Sequence, residues 1–427
     1  MLATEFDDNS MTESGYARSV RLLRRGQALN EAEMLFQVDP SHMILEITSF
    51  KTRSKRHLFF VDRINFYQAN YYFVSDQTLQ QYCLPIPLDA EVIDVFRGVA
   101  IVKLKSDWTL DLNTTFKTDD IVSFDLEKFS RAPSLSAQEL NFQLLVRPES
   151  GCAFQSLTSN EDALFLTILN NVCGELIVLK PHEKSFVSKK LPLIENGDVN
   201  VKSLSVYHDE VIISAESFIT PETLFSYDSR TDSFALLKKG KQYFNPDLYQ
   251  VTQHGAMSED GTLLPYHMIA RKDFQRDGTN PTLLYGYGGF ASSSTPGYLD
   301  LNGINLLEKG FVYVQANIRG GGEFGENWAK AGRKELKQKS FDDFIAVAGN
   351  LISRGVTSPQ FLGIEGGSNG GLLVGACVVQ QPQLFGAVLC EVPLLDMLCY
   401  HTLLAGDSWV EEYGDPEHPE MKAVLGW

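Results

Sequence analysis

Basic residues are scarce in this chain. Its 427 residues hold 37 lysines and arginines against 54 aspartates and glutamates, a formal net charge of −17. That balance disfavours nucleic acid or an anionic membrane as partner, since both bind through basic surfaces. Cysteine is also sparse. The six, Cys83, Cys152, Cys173, Cys377, Cys390 and Cys399, are scattered, with no C-x-x-C pair and no zinc-ligand spacing. A disulfide scaffold and a structural metal site are therefore not expected, and a reducing, cytoplasmic location is. No run of 18 apolar residues occurs, so no transmembrane helix is expected. The acidic start, residues 1–8, lacks the apolar core of a secretory signal. No glycine cluster leads into Gly-Lys-Ser/Thr, which argues against a phosphate loop and a nucleotide cofactor.

What is present is enough apolar residue, 44% against 21% charged, for the whole chain to be globular. The length exceeds a single core and predicts at least two domains. Residues 1–40 show no clear period; 31–36 fit a short helix, and 18–25 a solvated basic face. Residues 41–242 have β texture. Apolar runs at 43–47 and 57–61 are followed by 98–104 and 121–126, then 163–169 and 175–179, then 211–215, 223–228 and 233–237. Each unit reads as an antiparallel meander, repeating about every 45–65 residues, near the spacing of propeller blades. About four or five blades fit. On periodicity alone a β-sandwich of the same strand density is the alternative.

From residue 243 to 427 the texture becomes α/β, after a linker at 238–250. A hairpin is predicted at 251–257 and 263–270, around Glu259-Asp260-Gly261. Strands follow at 282–285, 311–316, 361–365 and 387–392, with helices at 303–309, 340–353, 372–379 and 394–404. In the helix at 340–353 the expected buried face is Phe341, Phe344, Ile345, Ala348 and Ile352. Strands separated by helices imply a parallel sheet with right-handed crossovers.

The chemistry centres on Gly366-Gly367-Ser368-Asn369-Gly370-Gly371, set between a strand and a helix. In that context G-x-S-x-G is a nucleophile elbow, and an oxyanion would meet the Asn369 N–H at the helix start. Two more glycine clusters, Tyr285-Gly286-Tyr287-Gly288-Gly289-Phe290 and Arg319-Gly320-Gly321-Gly322-Glu323, follow strands at the sheet edge where active sites lie. A serine also needs a base and an orienting acid. After Ser368 come Asp396, Asp407 and Asp415 with His401 and His418, and neither histidine follows a late core strand. No base is assigned.

These clusters, with Ala316-Asn-Ile-Arg-Gly-Gly-Gly-Glu-Phe-Gly325, Phe341-Asp-Asp-Phe344, Thr357-Ser-Pro359 and Asp396-Met-Leu398, resemble the prolyl oligopeptidase family of serine peptidases. The resemblance implies an α/β-hydrolase domain, incomplete here, preceded by a partial β-propeller that admits only short peptides. It implies Ser368 as nucleophile, with the Asn369 N–H and Tyr287 hydroxyl as oxyanion donors. Trp409 would stack on a proline ring, with Phe290 and Tyr413 as further walls of the pocket. No cofactor is implied, and the expected substrate is a short peptide cut after proline by a monomer. The family's catalytic Asp and His match no residue here. The expectation is therefore a fragment, inactive alone, lacking the C-terminal part of the hydrolase domain and the first part of the propeller. A non-catalytic pseudoenzyme or peptide-binding scaffold is the alternative from another class. An oligopeptidase cutting after basic residues is a third reading, disfavoured by Trp409 and Phe290.

Overall fold

The computed structural model describes residues 1–7, 9–183 and 185–424. Four antiparallel four-stranded meanders fill the first half. They comprise Ile44–Lys51 to Gln81–Cys83, Glu91–Phe96 to Gln143–Val146, Cys152–Ser159 to Ser185–Lys190, and Asp198–Leu204 to Ser233–Lys239. In each, strands pair in chain order; most are joined by short polar turns, while in the second a two-stranded ribbon (Trp108–Thr109 with Thr115–Phe116) and two short helices (Leu126–Arg131 and Ala137–Leu140) lie between strands. Alternate residues such as Phe59, Val61, Tyr71 and Phe73 point into buried layers between neighbouring sheets. The architecture is a β-propeller domain followed by an α/β-hydrolase domain.

The N-terminal segment departs from expectation. Residues 31–36 do not form a helix: Glu33–Gln37 is a strand, paired with Ser19–Leu22 in a three-stranded sheet completed by Leu2–Ala3. Tertiary packing overrides local propensity here, since Phe36 lies against Phe60 and Tyr72 at centroid distances of 5.7 and 4.8 Å. Residues 18–25 are not uniformly solvated either, because Val20 is completely buried between them.

The second half is a six-stranded mixed sheet. Its spatial order is Tyr249–Met257, Leu263–Arg271, Val312–Ala316, Thr282–Tyr285, Leu362–Gly367 and Ala387–Glu391. The first two pairings are antiparallel and the last three parallel. The helix Gln338–Ser353 covers the sheet with Phe341, Phe344, Val347, Ala348 and Leu351, so its buried face is rotated from the expected one; Ile345 and Ile352 flank it. Residues 394–404 form no α-helix, only a 3-10 turn at Tyr400–Thr402. The buried Tyr400 donates its hydroxyl proton to the Gly414 carbonyl (2.6 Å), and a Cβ on Gly406 would lie 1.8 Å from the Tyr400 carbonyl oxygen. These close contacts hold the segment in an irregular path. All six cysteines are free, and among the described residues no helix is long and apolar enough to cross a membrane.

Among the described residues, the strand Ala387–Glu391 is paired on one side only. Val388, Leu389 and the following Val392 are 38, 50 and 80% exposed. An apolar edge with free backbone groups is a template for pairing with other chains. The chain is expected to self-associate as its concentration rises, and Val388→Lys with Leu389→Lys to restore monomer. Light scattering checks both; equal scattering by the wild type and the double variant would contradict this reading.

Candidate active site

The strand Leu362–Gly367 ends at Ser368, and the helix Asn369–Gln380 starts immediately after it. Ser368 sits at φ 57°, ψ −118°, a conformation that costs a non-glycine residue about 1–3 kcal/mol. The turn is fixed from both sides. The Ser368 N–H donates to the Glu391 carbonyl (3.0 Å), and the Ser368 carbonyl accepts from the Leu372 N–H (3.1 Å). No larger residue fits beside it, since a Cβ at Gly366 would lie 2.2 Å from the Gly370 carbonyl oxygen. The serine side chain is left on the exposed side of the turn.

Tyr287 is brought to it from the loop after Thr282–Tyr285. Its side chain lies close enough to Ser368 for the serine to act on the phenol, and its loop packs on the helix start, where a Cβ at Gly370 would lie 3.6 Å from Tyr287. Burial pushes the phenol pKa up, and the neighbouring Ser368 only partly offsets this, which favours the neutral phenol. Asn369 is buried, and its side chain joins the two loops. Its Nδ2 donates to the Tyr287 carbonyl (2.5 Å), and its Oδ1 accepts from the Tyr413 hydroxyl (3.0 Å). As the first residue of the helix, Asn369 has a backbone N–H without an intrahelical acceptor, at the positive end of the helix dipole.

Aromatic residues gather beside this point. Phe290 meets Tyr413 edge-on at 5.6 Å and Phe66, from the propeller, at 5.2 Å. Tyr413 is completely buried and backs Phe290, whereas Trp409 is half-buried against the hydrolase core. Behind the loop lies a charged group that the sequence did not single out. Lys337, 1% exposed, donates to the Gly288 carbonyl (2.9 Å) and to Glu412 Oε1 (3.0 Å). Glu412 Oε2 accepts from the Tyr67 hydroxyl of the propeller.

The remaining candidates lie elsewhere. His401 Nε2 is 3.3 Å from Glu417, the exposed His418 is 3.7 Å from Asp415, and Asp396 is exposed. Among the described residues, no histidine or carboxylate hydrogen-bonds Ser368. The arrangement presents an exposed hydroxyl, but among the described residues no group is placed to take its proton.

The glycine cluster at 319–323 is structural support. Arg319 forks onto Asp343 through Nε (2.9 Å) and Nη2 (2.6 Å), and Ser340 Oγ donates to the Arg319 carbonyl (2.7 Å). Glu323, 2% exposed, accepts at Oε1 from the Ser294 N–H (2.8 Å) and Asn317 Nδ2 (3.2 Å); its Oε2 is unpartnered. Burial pushes its pKa up to about 7. The folded state thus binds this proton more tightly than the unfolded chain. Glu323 then favours folding least above pH ~7, and stability falls by about 3 kcal/mol as pH rises from ~4.5 through ~7. Glu323→Gln should flatten that slope in urea unfolding at pH 5 and 8; an unchanged slope would assign it to other groups.

Asp343 left a readable signal, a carboxylate on the apolar face of the helix bearing Phe344 and Val347. Lys337 and Glu412 left none, because their pairing spans 75 residues.

Comparison with known proteins places this geometry. Residues 299–424 match the family model described as the prolyl oligopeptidase family, and residues 3–240 match that of the prolyl oligopeptidase N-terminal beta-propeller domain. An uncharacterized peptidase, y4nA, of Sinorhizobium fredii is 37% identical over 99% of the chain and 58% of its own length. A prolyl endopeptidase of Elizabethkingia meningoseptica is 41% identical over 49% of the chain and 29% of its own length. A solved post-proline cleaving enzyme from Rickettsia typhi superposes with a TM-score of 0.92 at 31% identity, over 98% of this chain and 61% of that one. The chain thus spans about three-fifths of relatives that match it from end to end.

Proposed function

The chain belongs to the prolyl oligopeptidase family of serine peptidases, and on that premise we propose that Ser368 is the nucleophile of a peptidase acting on the carboxyl side of proline. The observation that carries this reading is a strained strand-to-helix turn that leaves the Ser368 side chain exposed, with the Tyr287 loop tied to the first residue of the following helix. In the reaction, Ser368 Oγ adds to the proline carbonyl, and the negative charge moves to the carbonyl oxygen. That oxygen takes hydrogen bonds from the Tyr287 hydroxyl and the Asn369 N–H. Collapse to the acyl-enzyme expels the amine, which must gain a proton as the serine loses one; this transfer needs a base. The described residues alone are therefore poorly equipped for turnover. In a reducing, cytoplasmic setting the site would take short peptides, a reading supported by the propeller loop at Phe66 that crowds it.

Trp409 and Phe290 supply flat apolar faces suited to a rigid pyrrolidine ring. Of the carboxylates that follow Trp409, Glu412 is completely buried and committed to Lys337, and Glu411 is paired with Lys334 (2.7 Å), so neither is free to receive a basic side chain. Peptide aldehydes separate the two specificities, because an aldehyde adds to a serine hydroxyl with no net proton loss. A peptide ending in prolinal should bind at least ~10-fold more tightly than one ending in argininal, and Trp409→Ala should erase most of that preference, a loss of about 1–2 kcal/mol. Tighter binding of the argininal would favour cleavage after basic residues; binding of neither would favour a pseudoenzyme.

A further inference from the structure

The loop that carries Tyr287 is held from behind by charge. Gly288 adopts φ +64°, and a Cβ there would lie 2.6 Å from Ile318, so the backbone itself packs into this corner. Its carbonyl faces inward and receives the ammonium of Lys337 at 2.9 Å. Lys337 and Glu412 are 1 and 0% exposed. Withdrawing both charges from water is costly, and a well-packed apolar pair of similar volume would often serve stability as well or better. What an apolar pair cannot supply is a donor aimed at the Gly288 carbonyl. Glu412 adjoins Tyr413, whose hydroxyl reaches Asn369, whose amide in turn reaches the Tyr287 carbonyl. The same carboxylate accepts the Tyr67 hydroxyl from the propeller, and Arg333 stacks 3.4 Å above the Tyr67 ring. The backbone on either side of the Tyr287–Gly288 peptide is thereby tied to this network.

We propose that Lys337, paired with Glu412, is a positioning residue that aims the Tyr287 hydroxyl at the oxyanion of the tetrahedral adduct. This rests on the reading of Tyr287 as an oxyanion donor. Its effect falls on the tetrahedral state, where the hydroxyl must meet developing charge, and little on ground-state binding of a planar carbonyl.

The test compares two ligands of the full chain, a peptide ending in prolinal and the corresponding peptide acid ending in proline. Lys337→Met is expected to weaken prolinal binding by about 10–100-fold, the range expected for loss of a charge-assisted hydrogen bond. Binding of the peptide acid should change less than ~3-fold. Because Lys337→Met leaves the buried Glu412 with Arg333 and the Tyr67 hydroxyl as its remaining partners, the double variant Lys337→Met, Glu412→Gln removes both charges and should show the same split in a folded protein, checked by its thermal midpoint. Tyr67→Phe, which deletes one hydroxyl, should produce a smaller loss of the same kind. Equal weakening of both ligands, or unchanged prolinal binding, would overturn the role of Lys337. A wild-type chain that forms no adduct at Ser368 would instead overturn the reading of the site itself, and this inference with it.

Discussion

A chromogenic proline anilide peptide incubated with the 427-residue chain should be cleaved at no more than the background rate. On the proposed reading of Ser368, the step that limits this chain is proton transfer. An unassisted serine hydroxyl is a weak nucleophile, and loss of the base from a catalytic triad costs about 10⁴–10⁶-fold in turnover. His401 and His418 are the histidines that follow Ser368, and both are engaged with carboxylates of their own segment, Glu417 and Asp415. The Elizabethkingia meningoseptica prolyl endopeptidase, assayed alongside, is the appropriate reference. Cleavage by the chain that vanishes in Ser368→Ala would overturn this expectation. Its further loss in His401→Ala or His418→Ala would then identify the base.

Arg319→Leu should lower the stability of the hydrolase half by about 3–5 kcal/mol. The guanidinium is 5% exposed and makes two hydrogen bonds to Asp343, which is completely buried. It also bonds Ser258 Oγ (3.1 Å) and pairs with Asp260 (2.5 Å). Its removal strands the Asp343 carboxylate in the core with only Ser258 and a backbone N–H as partners. Such a charge must either stay unpaired or take up a proton, and both weaken folding near neutral pH. The thermal midpoint should fall by about 10 °C or more. Arg319→Leu with Asp343→Leu should recover much of this loss, since the penalty arises from the orphaned charge more than from the missing attraction. An unchanged midpoint in the single variant would show that water or a neighbouring side chain compensates.

The β-meanders and the strands and helices of the second half were readable because apolar periodicity and glycine punctuation report directly on which face is buried. Gly366 and Gly370 announced the elbow, since only glycine permits the backbone approach at that turn. Where local signals competed with distant partners the reading failed. Residues 31–36 follow Phe60 and Tyr72 into a sheet, and residues 394–404 follow the Tyr400–Gly414 contact into an irregular path. The supports of the site were the least legible. Asn369 was identified for its backbone N–H, while its side chain turns out to bridge Tyr287 and Tyr413. Lys337 looked like one of many surface lysines, because nothing in a local window shows that Glu412 will meet it in the core.

The central claim is that this chain carries an assembled nucleophile, oxyanion site and proline wall without a base at Ser368. Its most direct measurement is carbon NMR of a peptide prolinal labelled with ¹³C at the aldehyde carbon. If the claim holds, Ser368 Oγ bonds to that carbon, the hydroxyl proton ends on the former carbonyl oxygen, and the signal moves from the aldehyde and its hydrate to a hemiacetal. The hemiacetal signal should be present in the wild type and absent in Ser368→Ala. No hemiacetal in the folded wild type, or one that persists in Ser368→Ala, would contradict the account.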